Sequence, residues 1–106
     1  MVKNYRFYPQ NGMIYLHIAY LQGMPHYNEI QAEVDVYIAA GSLNFVLDLA
    51  ELQYIDSVGL SLLITILTKS RHAGGDVFLL SPTPKVEKML MITKLQHLFK
   101  IIEPIL

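Results

Sequence analysis

The hydrophobic residues of this chain switch repeatedly between two periods, and that alternation restricts the folds open to it. From Met13 to Tyr20, Ile14, Leu16 and Ile18 alternate with Tyr15, His17 and Ala19, as in a strand with one buried face. From about Tyr27 the spacing lengthens. Tyr27, Ile30, Val34, Tyr37 and Ile38 share one helical face, while Glu29, Gln31, Glu33 and Asp35 lie mostly elsewhere. Gly41 suits a helix stop, because glycine takes the left-handed C′ conformation cheaply. Phe45-Val46-Leu47-Asp48-Leu49 then reads as a buried central strand. A second helical pattern runs from Val58 or Gly59 to about His72 and stops at Ala73-Gly74-Gly75, with a strand at Asp76 to Leu80. Thr83 is the expected N-cap of a third helix, Pro84 its first residue and Ile92 its approximate end. Phe99 to Glu103 has the composition of a last short strand. At the front, Tyr5 to Tyr8 pairs with Met13 to Tyr20 through the turn Gln10-Asn11-Gly12. The order β-β-α-β-α-β-α-β predicts one α/β domain over residues 1–106. Its sheet is mixed but mostly parallel, of four to five strands, opened by a hairpin and packed by helices.

Composition narrows the function. Of 106 residues, 53% are hydrophobic, enough for a core without staples. Cysteine is absent, which removes disulfides, thiolate zinc sites and cysteine nucleophiles. Eight basic residues face nine acidic ones, so no basic excess exists to hold a phosphate backbone, and no direct nucleic-acid partner is expected. Leu60 to Leu67, the most apolar run, is interrupted by Ser61 and Thr65 and is far shorter than the roughly 20 residues of a membrane span. Met1 to Arg6 lacks an apolar signal core. These features predict a soluble cytoplasmic domain without membrane insertion.

The specific feature is Asp56-Ser57-Val58-Gly59, placed between a strand and a strongly apolar helix. Asp56 and Ser57 both have N-cap chemistry, and Gly59 permits close approach in the first turn. Leu60, Leu63, Ile64 and Leu67 form the core face of the helix. Leu62 and Ile66 point off that face, on the flank that also carries Lys69. Either a neighbouring helix covers them, or they form an apolar docking patch beside Ser57.

The run Val46-Leu47-Asp48-Leu49 … Tyr54-Ile55-Asp56-Ser57-Val58-Gly59-Leu60 … Leu63 resembles the signature of the STAS family, the anti-sigma factor antagonists and their relatives. Ser81-Pro82-Thr83-Pro84-Lys85-Val86 … Met89-Leu90 … Thr93-Lys94-Leu95 … Leu98-Phe99-Lys100-Ile101 resembles that family's C-terminal half. The resemblance implies a protein-binding switch. In such antagonists the serine after the Asp of this turn is phosphorylated by an anti-sigma factor that is itself a serine kinase. The unphosphorylated form captures that kinase and frees a sigma factor, and a serine phosphatase resets the switch. Ser57 is the matching position. Val58 stands where many members carry a second hydroxyl, leaving one acceptor in the turn. With the turn and the flank beside it, Asp56, Val58, Gly59, Leu62, Ile66 and Lys69 are the candidate partner-binding residues. Phosphorylated members commonly carry a Gly-x-Leu-Asp-like segment after the second strand. Here the stretch is Ala19-Tyr20-Leu21-Gln22-Gly23, with Gln22 in place of the acid. Gln22 favours the alternative, a phosphorylation-independent STAS module in a signalling scaffold or a membrane transport system. Members usually continue into one more helix after the last strand.

Enzymatic chemistry finds no residue set. His17, His26, His72 and His97 are scattered without metal-ligand spacing. No Gly-x-Ser-x-Gly elbow surrounds Ser57, and no phosphate-cradling glycine loop occurs. Asp48 and Asp56 do not make a paired-acid site, since Asp48 alternates with apolar strand neighbours. Met89 and Met91 are expected to pack the third helix with Leu90. No cofactor, metal or catalytic role is expected.

Overall fold

Asn11 and Gly12 both take positive φ, 54° and 76°, and that turn folds β1 (Tyr5–Gln10) back on β2 (Met13–Ile18). The register follows: Gln10 pairs with Met13 and Tyr5 with Ile18. The computed structural model describes residues 4–21 and 26–104, so Gln22 lies outside the described residues. After the hairpin come α1 (Tyr27–Ala39), β3 (Phe45–Asp48), α2 (Ser57–His72), β4 (Val77–Leu80), α3 (Pro84–Ile92) and β5 (Lys100–Ile102). The sheet has five strands in the order β1-β2-β3-β4-β5, parallel from β2 onward.

Consecutive parallel strands that advance in one direction, joined by right-handed crossovers, put their helices on one face. The core bears this out. Leu16 and Ile18 of β2, Phe45 and Leu47 of β3, and Val77 and Leu79 of β4 join Ile30 and Val34 of α1, Leu63 of α2, and Val86 and Leu90 of α3 in a single buried cluster. The opposite face carries Arg6 and Tyr8, Tyr15 and His17, Asp48 and Phe78, in register across the strands. Tyr8 stacks on Tyr15 there, with ring centroids 5.4 Å apart.

The helix starts follow from capping. Asp56 accepts the Gly59 N–H at 2.8 Å through Oδ1, which begins α2 at Ser57, one residue earlier than expected. Thr83 caps α3 by accepting the Val86 N–H, and its hydroxyl donates to the Leu52 carbonyl at 2.7 Å. That bond ties α3 to the loop that leads into α2. At the other end of the sheet, Asp76 holds Arg71 at 3.1 Å and Lys100 at 3.2 Å. Burial disfavours the Asp76 charge, but the Val77 N–H, Arg71 and Lys100 together hold its carboxyl below the usual carboxylate value. Met91 departs from expectation. It is exposed, because α3 turns its Val86–Leu90 row to the core with Met89 partly buried against it.

Candidate functional site

Ser57 is the first residue of α2 and is exposed. Its hydroxyl is spared capping duty because Asp56 performs it. The first turn of α2 holds no acidic side chain. Gly59 lets the turn lie close to the body. A Cβ there would stand 2.9 Å from Ile55 Cγ1 and 3.4 Å from Leu21 Cδ1. Leu21, in the segment that follows β2, therefore abuts the turn. Tyr20, next in the chain to Leu21, is 51% exposed, as are Tyr54 (53%) and Val58 (47%). Tyr54 and Val58 flank Ser57 along the chain, and Tyr20 precedes the Leu21 that the turn approaches.

Burial corrects the expected docking patch. Leu62 and Ile66 are wholly buried and belong to the core, so they present no surface to a partner. The neighbour that covers them is α1. Lys69, on the same flank, binds Asp35 of α1 at 2.9 Å. Nearer the start of α2, the Thr65 and Ser61 side chains hold the Tyr27 phenol of α1 below its usual pKa. Lys69 lies about 18 Å along the helix from Ser57, at 1.5 Å per residue, and is engaged by α1. Asp56 is partly buried and Gly59 buried, so both shape the turn from within, whereas Val58 stands at the surface.

Sequence reasoning missed Tyr20, which the alternation carries into the second strand although β2 ends at Ile18, and Tyr54, whose only signal was an aromatic side chain just ahead of the Ser57 turn. It also missed a polar cluster. His17 Nδ1 lies 3.2 Å from Asp48 Oδ2, and its Nε2 lies 2.5 Å from Glu51 Oε2. Glu51 sits in the loop between β3 and Ser57. At the start of α1, Tyr5 donates to Glu29 at 3.0 Å, and burial together with that carboxylate pushes its hydroxyl up to about 12. The cleft between Tyr5, Tyr20 and Tyr27 measures about 50 Å³, well below the roughly 300 Å³ of a small-molecule pocket. Among the described residues, no group of three or more His, Asp or Glu side chains is placed to hold a metal ion, and no helix is long and apolar enough to cross a membrane.

Comparison with known proteins agrees with this architecture. The family model described as STAS domain matches residues 24–105. A Thermotoga maritima protein named as a candidate anti-sigma factor antagonist is 34% identical over 71 residues, covering 67% of this chain and 63% of that protein's length. The solution structure of the protein TM1081 superposes with a TM-score of 0.83 at 26% identity, covering 92% of this chain and 78% of that one. The anti-sigma factor antagonist SpoIIAA in its unphosphorylated form gives a TM-score of 0.79 at 17% identity over 95% of this chain and 88% of that one. The Bacillus SpoIIAA structure in the phosphorylated form gives 0.73 at 16%, over 95% and 91%. At those identities SpoIIAA speaks for the fold alone. The fold and the matched residues lead to one assignment: this chain belongs to the STAS domain family.

Proposed function

We propose that this chain is an anti-sigma factor antagonist acting as a phosphorylation-controlled protein-binding switch. The observation that carries the reading is an exposed Ser57 hydroxyl at the start of α2, left free because Asp56 does the capping. The unphosphorylated chain captures an anti-sigma factor that is a serine kinase, docking it over Ser57, Val58, Tyr54 and Tyr20. The kinase transfers a phosphate to Ser57, the added anion ends docking, and a serine phosphatase restores the hydroxyl. Asp56 and Gly59 hold the turn in place. The switch needs no bound cofactor in this chain, and a cytoplasmic setting fits it. The antagonist name carried by the Thermotoga relative supports the reading.

The test is intact-mass measurement after incubation with ATP and the serine-kinase anti-sigma factor of the same organism. The chain should gain the mass of one phosphate. Ser57→Ala should gain none and still bind. Binding with no modification at Ser57 would instead identify a phosphorylation-independent STAS module.

A further inference from the structure

We propose that His17, Asp48 and Glu51 form a proton-operated clasp on the loop that delivers Ser57. His17 stands at the end of β2, on the sheet face away from the helices, and the parallel register puts Asp48 directly across from it. The loop leaving β3 then brings Glu51 to the other ring nitrogen. The two contacts, at 3.2 and 2.5 Å, each need a hydrogen between their heavy atoms. A neutral imidazole and two carboxylates supply only one. The closed clasp therefore holds one additional proton, either on the ring or on a carboxylate. Without it, one contact sets lone pair against lone pair and must open.

Glu51 is the arm that opens. Its side chain is 66% exposed and can turn to water, whereas Asp48 is 20% exposed and also accepts the Ala50 N–H. Other charges face the cluster. Arg6 of β1 lies across from His17 with its guanidinium over the Tyr8 ring, and the Tyr8 phenol, pushed up by burial and by the Asp48 charge, faces the same cluster. Leu80 of β4, across from Asp48, brings no charge, and the helices lie on the other face. The loop from Leu49 to Asp56 is also held through Leu52 by Thr83 and through Ala50 by Asp48. The Glu51 tether alone joins the loop to an imidazole, the group whose ordinary titration falls between about pH 5 and 8. Loss of the proton frees Glu51 and loosens the segment just ahead of the phosphoacceptor turn. The clasp stands on its own geometry; only its bearing on Ser57 chemistry rests on the function proposed above.

The experiment is amide and histidine-ring NMR of the whole chain from about pH 5 to 8.5, spanning the histidine range. The Ala50-to-Ser57 amides should shift with the same midpoint as the His17 ring. In Glu51→Gln that loop response should vanish, because a carboxamide can present N–H or oxygen to the ring and keep contact in both states. His17→Gln should abolish it too, and His72→Gln should leave it intact. Loop amides that stay still while His17 titrates, or that still shift in both clasp variants, would overturn the proposal. A silent loop with Ser57 still phosphorylated would remove the clasp alone. A responsive loop with Ser57 never phosphorylated would remove the proposed function and leave the clasp standing.

Discussion

A phosphate on Ser57 should change partner binding far more than it changes folding. The group adds about −1.5 to −2 charges. It arrives at the start of a 16-residue helix whose first turn carries no acidic side chain. The helix dipole favours each charge there by about 0.3–1 kcal/mol, so roughly 0.6–2 kcal/mol for two. Against this stands the neighbouring Asp56 carboxylate. At about 6 Å in a water-like medium each pair of unit charges costs about 0.7 kcal/mol, or about 1.4 for the doubly charged group. The two effects nearly cancel, leaving a change of within about 1 kcal/mol. Binding is different. A partner seated over Val58, Tyr54 and Tyr20 would have to strip water from the phosphate, at several kcal/mol unless it supplies a cation. A loss of only about 2.7 kcal/mol weakens binding about 100-fold. Urea unfolding followed by circular dichroism, run on unmodified and phosphorylated protein, should give midpoints within about 0.5–1 M of each other. Calorimetric titration with the kinase partner should show at least the 100-fold loss. A drop in stability of more than about 3 kcal/mol with binding lost in parallel would mean the phosphate works by disordering the fold, contrary to this reasoning. Unchanged affinity would refute the switch itself.

Three further expectations follow from burial and charge. Leu62→Ala and Ile66→Ala should each cost about 2–5 kcal/mol of unfolding free energy, whereas Val58→Ala should stay within about 0.5 kcal/mol while weakening partner affinity. Equal stability losses at all three positions would contradict the assigned surface. Gly75→Ala should cost about 3 kcal/mol or more by thermal or urea unfolding, since a Cβ there would sit 2.0 Å from the Leu43 carbonyl oxygen, and backbone cannot swing aside as a side chain can. Asp76 should contribute to acid sensitivity. Its carboxyl is held below the ordinary value in the folded chain, so its stabilisation is complete above the unfolded pKa of about 4 and is lost as pH falls through the lower folded value. Asp76→Asn should flatten the fall of stability below about pH 4, and a variant with the native acid slope would exclude this contribution.

Much of the fold was legible because it depends on local rules. The period of two read from Met13 to Tyr20, the turn at Asn11-Gly12 and the caps at Asp56 and Thr83 each act within a few residues, and each element formed close to where its pattern lay, the second strand ending at Ile18. The Ser57 turn was legible for the same reason. Its accessibility was not, because capping chemistry names two oxygens and only the folded geometry shows that Asp56 is the one engaged.

Tertiary packing decided the rest. Helical periodicity orients Leu62 and Ile66 about their own axis but does not say what stands beside that axis. Once α1 docks on α2 through Asp35 and Lys69, a flank that could have faced a partner becomes interior. Likewise, His17, Asp48 and Glu51 are separated by 31 and 34 positions along the chain. The parallel pairing of β2 with β3 and the path of the following loop bring them together, through contacts that local sequence pattern does not encode.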